Sequence, residues 1–173
     1  MKMVKKIRLL GDPVLRKKSK NVERVDETTI SLIKDLFETM YATDGIGLAA
    51  PQIGVSLRIF VMDDGKPRVF INPEIIYKSE EKEIAEEGCL SVPEVFEDVE
   101  RSKEVTVRYM NEHGEEVEES FVDYSARVVQ HEYDHLQGVL FIDLIPSSRR
   151  FAIRKKLIEI VRQSQKTDYA ERP

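Results

Sequence analysis

The chain has 173 residues, 41% of them apolar and 34% charged, with 27 Lys and Arg against 32 Asp and Glu and a formal net charge of −5. That length suits one domain with a hydrophobic core and is short for two, and the acidic balance argues against a basic surface for sequence-specific nucleic-acid binding. The single cysteine, Cys89, excludes an internal disulfide framework, and no apolar run approaches the roughly 20 residues of a membrane-spanning helix.

The stretch from Met1 to Leu10 is basic but holds no apolar segment long enough for a signal peptide, and Gly11-Asp12-Pro13 interrupts it at once. A cytoplasmic location is therefore expected. Residues from Asp26 to about Ala42 read as a helix, with Asp26 as N-cap and Ile30, Ile33, Phe37 and Met40 or Tyr41 recurring at helical spacing. Asp44-Gly45-Ile46-Gly47 ends it.

From Leu57 to Phe121 the pattern is strand-like. Leu57 to Met62 precedes a turn at Asp63 to Pro67, followed by Val69-Phe70-Ile71. Val105, Val107 and Tyr109 alternate with Thr106 and Arg108, and Asn111 to Gly114 supplies a turn before Val117 to Val122, which predicts a hairpin with one buried face.

Helical period returns from Tyr124 to Leu136, with Tyr124, Val128, His131 and His135 on one stripe and Gly138 placed to close the helix. A last helix is expected from about Ser147 to Gln165. Phe151, Leu157, Ile158 and Val161 would form its apolar side, and Arg149, Arg150, Arg154, Lys155, Lys156 and Arg162 make much of the rest basic. Strands in the middle with helices before and after predict an α+β fold, a single domain of antiparallel strands around a central helix.

That central helix carries His131-Glu132-Tyr133-Asp134-His135. Two histidines four residues apart project from one helical face and can grip one divalent ion, while Glu132 stands beside the ion, where it can move a proton. A catalytic site of this kind needs a third protein ligand and an open position. The longer metalloprotease pattern would place a histidine at position 141, which is Phe141. His113 sits in a polar turn and Asp143 in what reads as a strand or its exit. Cys89, between Gly88 and Pro93, is the remaining candidate; a lone cysteine is ordinarily an inert small hydrophobe, but two histidines in need of a partner favour the ligand reading. The glycines and alanines of Asp44 to Gln52 let a backbone approach a substrate closely or simply close the first helix, and they lack the lysine ending of a phosphate loop.

Gly45-Ile46-Gly47-Leu48-Ala49-Ala50-Pro51-Gln52, Glu87-Gly88-Cys89-Leu90-Ser91 and His131-Glu132-Tyr133-Asp134-His135 together strongly resemble the three signature motifs of the peptide deformylases, in order and rough separation. Gly11-Asp12-Pro13-Val14-Leu15-Arg16 resembles the family's N-terminal segment, so the likeness covers nearly the whole chain.

The resemblance implies one catalytic domain over residues 1–173 that removes the formyl group from the N-terminal N-formylmethionine of nascent polypeptides and releases formate. Cys89, His131 and His135 would hold one divalent ion, Fe(II) in the cell, with Zn(II), Ni(II) or Co(II) able to replace it in purified protein. A water in the fourth position would be the nucleophile and Glu132 the general acid/base. The Gln52 amide and the Leu90 N–H would stabilise the oxyanion, and the Gly47 backbone would hydrogen-bond the substrate amide. Ile46, Val128 and Tyr124 are candidate walls of a methionine slot, with ordinary core packing as the alternative. Asp134 is expected to point away from the ion and pair with Arg101. The basic C-terminal helix is expected to pack on its own domain, with contact to the ribosome surface as the alternative. Two other readings remain at this level: a metalloprotease or different amidase, and a structural zinc site without activity.

Overall fold

A computed structural model describes residues 4–170, with side chains to residue 166. Its helices are α1 (Glu27–Ala42), α2 (Asp123–Leu136), α3 (Ser147–Ala152) and α4 (Arg154–Ala170). Its strands are β1 (Gly47–Ala49), β2 (Ile59–Asp63), β3 (Pro67–Lys78), β4 (Lys82–Cys89), β5 (Val92–Ser102), β6 (Glu104–Met110) and β7 (Glu116–Val122). All paired strands are antiparallel, in a five-stranded sheet of order β1-β2-β3-β6-β7 and a separate β4-β5 hairpin. The fold is α+β, as expected.

The unbroken apolar run in β2 has a structural cause. Ile59 and Val61 face α1, whose Leu32, Ile33, Leu36 and Met40 are buried against them, while Phe60 and Met62 face the α2 side with Phe70, Tyr109 and Phe121. A strand covered on both faces loses the polar alternation of a half-exposed one. Each large apolar side chain fully buried in these layers contributes about 1.5–3 kcal/mol. The helix stripe in α1 is displaced from the expected one: Ile30 and Tyr41 are exposed, and Tyr41 instead donates to Asp63 at 2.6 Å. Asp26 caps α1 as expected, its carboxylate accepting from the Thr29 N–H at 3.1 Å.

The end of α2 is closed by Gly138 at φ +76°, with the Val139 N–H bonded to the Asp134 carbonyl and the Gly138 N–H to that of His135. A side chain at position 138 would meet the Arg16 carbonyl at 2.7 Å, so close chain crossing and the left-handed backbone both demand glycine.

The expected single helix over 147–165 is two helices, broken at Ile153. No residue of α3 is buried, whereas α4 buries Leu157 and Ile160 against Val92, Val95, Val99, Phe141 and Ile142. Phe151 and Ile158 are exposed rather than part of that face; the Arg154 guanidinium covers the Phe151 ring at 3.8 Å. The break lets α3 run along the surface, tied by Arg149 to Glu97, while α4 packs inward. No helix among the described residues is long and apolar enough to cross a membrane.

Candidate metal centre and cleft

The donor set comes from two elements. His131 and His135, one turn apart on α2, stand with ring centroids 5.1 Å apart. Cys89 ends β4, where the register with β5 shifts between Gly88 and Cys89; such a bulge re-aims a side chain. Ligating atoms of Cys89, His131 and His135 all lie within 4.8 Å of one another, with Cys89 Sγ 3.4 Å from His135 Nε2. A tetrahedral zinc-like ion at ordinary S and N bond lengths sets that edge at about 3.6 Å, so the three side chains fit one ion with one position left open. Burial and neighbouring His131 hold His135 well below the ordinary imidazole range, which favours the neutral ligating form.

Glu87 sets the orientation of His131. Its Oε1 lies 2.9 Å from His131 Nδ1, which leaves Nε2 for an ion. The same carboxylate accepts from Arg101 Nε and Nη2, both at 2.9 Å, and from Arg127 Nη1 at 2.7 Å. Burial by itself would raise the Glu87 pKa; hydrogen bonds from His131 and Arg101 outweigh it and bring it down to about 2. Arg101 also bonds Asp134, the pair expected from sequence. Arg127 continues to the carbonyls of Val99 and Glu83, at 2.8 and 2.7 Å, and so straps the β4-β5 hairpin carrying Cys89 to the helix carrying both histidines.

Glu132 is 5% exposed, and its Oε2 has no hydrogen-bond partner. Burial pushes its pKa up to about 7 in the absence of an ion; a cation close by would oppose that shift. Gly47 lies directly against it: a Cβ at position 47 would meet Glu132 Cγ at 2.8 Å. Gln52 is buried on the turn Ala50–Ile53, and its Oε1 accepts the Ala49 N–H at 3.0 Å. That bond turns Nε2 towards the centre, where it donates to Ser91 Oγ at 3.2 Å and approaches Cys89 Sγ at 3.6 Å.

A cleft of about 600 Å³ opens over these groups. Cys89, His131, Glu132, Gln52, Leu90 and Gly47 line it, and so do Ile46, Val128 and Tyr124. His135 lies behind this wall, 1% exposed. Val128 is buried, whereas Tyr124 is 61% exposed at the mouth. The two alternative ligands lie elsewhere: His113 is exposed in its turn, beside Glu112, and Asp143 is held by Arg16. Sequence reasoning assigned no part to Glu87, Arg127, Ser91 or Phe96, all close to the centre or lining the cleft. Arg127 sits four residues before His131, a spacing that puts it on the same helical face, and this was the available signal.

Two imidazoles, a thiol, an open fourth position and a buried carboxylate define the class of single-ion hydrolytic centres. The family profile described as Polypeptide deformylase matches residues 4–151. The peptide deformylase of Thermotoga neapolitana is 55% identical over 161 residues, covering 92% of this chain and 98% of that protein. Among solved structures, the peptide deformylase of Thermotoga maritima superposes with a TM-score of 0.81 at 55% identity, over 83% of this chain and 98% of the other. That of Thermus thermophilus gives 0.88 at 40% identity, over 93% and 99%. The chain belongs to the polypeptide deformylase family.

Proposed function

We propose that residues 1–173 form one catalytic domain that hydrolyses the formyl amide of N-terminal formylmethionine on nascent polypeptides, giving formate and a free amine. The observation that carries this reading is the open three-donor centre with Glu132 buried beside it at the floor of an apolar-walled cleft. Cys89, His131 and His135 hold the ion. Thiolate and imidazole together suit Fe(II), the cellular metal in this reading, and also accept Zn(II), Ni(II) or Co(II). An ion held there would supply an activated water at neutral pH and a Lewis acid for the formyl oxygen.

The remaining work falls to the chain's own groups. Glu132 takes the proton of the attacking water and delivers it to the departing nitrogen. Gln52 Nε2, fixed in direction by the Ala49 N–H, and the Leu90 N–H stabilise the negative charge that develops on the formyl oxygen. The Gly47 backbone receives the substrate amide, and Ile46, Val128 and Tyr124 border the methionine side chain. Asp134 fixes Arg101, which in turn holds Glu87 and thereby His131 in place. Such chemistry on nascent chains belongs in the cytoplasm. Solvation accounts for the exposed Arg154, Lys155 and Arg162 of α4, and the reading requires no ribosome contact through them.

The test is anaerobic hydrolysis of formyl-Met-Ala-Ser by iron-loaded protein, scored as formate, with Glu132→Ala as control. Formate from the wild type and none from the folded, metal-loaded variant is the expected result. A folded, iron-loaded wild type that releases no formate overturns the reading.

A further inference from the structure

The cleft over the metal centre continues past its rim. Phe96 and Glu86 border it on one side, and both also border a second groove of about 540 Å³ whose other wall includes Leu144 and Pro146. The β4-β5 register explains this continuity. Ile84 pairs with Glu100, Glu86 with Asp98 and Gly88 with Phe96, and strand alternation turns these six positions to the outer face, away from buried Glu87, Val95 and Val99. Gly88 has no side chain, and the Phe96 ring occupies its place: a Cβ there would meet the ring at 2.6 Å. The ring therefore lies at the junction of cleft and groove.

The groove is apolar and acidic at once. Phe96 is 62% exposed, Ile84 67% and Leu144 45%. An apolar strip of this kind, running out of a ligand cleft, marks a binding surface more often than a scattered exposed side chain does. Glu86, Asp98 and Glu100 are exposed beside it, and none of the three is held in an ion pair within 4 Å among the described residues. Arg149, the basic residue on the groove wall, is already engaged by Glu97 through Nε and Nη2 at 3.0 and 2.8 Å, with Asp98 adding to its field. The surface thus presents uncompensated negative charge around apolar contacts.

We infer that this groove receives the residues following the first three of the formylated chain and favours basic side chains there. The inference rests on the proposed deformylation. From Phe96 to Glu100 the strand covers about 13 Å, the span of about four extended residues. An extended chain leaving the cleft past Phe96 lays its fourth to seventh residues along that length, with lysine or arginine stems on Phe96 and Ile84 and their charges by Asp98 and Glu100. Rim charges act on encounter and KM rather than on the chemical step, because they do not change between ground and transition states.

The experiment compares kcat/KM for formyl-Met-Ala-Ser with that for two formylated octapeptides, identical except for Lys or Glu at positions five and seven. The Lys octapeptide is expected to exceed the Glu octapeptide by about fivefold at low salt, through KM, with the difference falling in 0.5 M salt. Asp98→Lys with Glu100→Lys reverses the preference, and Asp98→Asn with Glu100→Gln abolishes it while keeping side-chain size. Equal kcat/KM for the two octapeptides overturns the inference. So does a preference unchanged in both variants, which assigns it to residues other than Asp98 and Glu100. Absence of turnover even on the tripeptide rejects deformylation itself, a result distinct from either.

Discussion

Glu87 Oε1 lies 2.9 Å from His131 Nδ1 while the same carboxylate is gripped by Arg101 and Arg127, so one buried acid aligns a metal-binding imidazole and ties two structural elements together. Glu87→Gln keeps the shape but removes the charge that balances two guanidinium groups. We expect about 10–100-fold weaker metal retention, read by competition with a chelator, and Arg101→Ala should shift retention in the same direction with little change in methionine selectivity. Equal retention in both variants would show that the network does not orient the ligand.

Gly47 and Glu132 are packed too closely for a side chain between them. Gly47→Ala is expected to push the Glu132 carboxylate aside and lower kcat/KM by about 100-fold, with metal content unchanged. Full activity together with full metal content would mean that the carboxylate has room to move.

Gln52 is a different kind of residue, since its amide faces the centre and is aimed by a backbone bond. Gln52→Ala should reduce kcat by about 100- to 1,000-fold with metal content unchanged, and lower the melting temperature because the buried Ala49 N–H loses its acceptor. A loss confined to KM would remove Gln52 from transition-state stabilisation.

Arg16 and Asp143 supply a pH test away from the metal. Arg16 Nη1 and Nη2 meet the Asp143 carboxylate at 2.6 and 3.1 Å. Burial would raise the Asp143 pKa, but Arg16 and the Leu140 N–H outweigh it and leave it lowered. A lowered folded pKa stabilises above the unfolded value of about 3.9 and that contribution is lost as pH falls through the folded value. Asp143→Asn should therefore cost about 1 kcal/mol near pH 7, discounted for partial exposure, and the difference from wild type should shrink below pH 4. Thermal melts of both proteins at pH 7 and pH 3.5 decide this; a difference independent of pH would mean that the ion pair is not its source.

Helix α1, the β6-β7 hairpin and α2 were legible because each shows a single period over many residues and is bounded by a cap or a turn. The β4-β5 hairpin was not. Its inner face mixes Glu87, Glu97 and Arg101 with Val95 and Val99, and its outer face mixes Ile84 and Phe96 with Glu86, Asp98 and Glu100, so the usual inside-apolar alternation is blurred over the very segment that delivers Cys89. The break at Ile153 was equally hidden, since neither glycine nor proline marks it and only the difference between surface-lying α3 and inward-packed α4 requires it.

By itself the sequence determined the chemical inventory: two histidines one helical turn apart, one glutamate beside them, one cysteine, and glycines where backbones must pass closely. Those are properties of residue type and local spacing, which one strand or helix expresses on its own. Tertiary structure decided which nitrogen of His131 faces the open position, that the Gln52 amide meets Ser91 and Cys89, that Arg127 joins the two ligand-bearing elements, and that the cleft runs on into the Phe96 groove. The first three depend on partners 28 to 44 residues away and the last on a surface shared by several elements. No local pattern encodes a contact that exists only after the sheets and helices have packed.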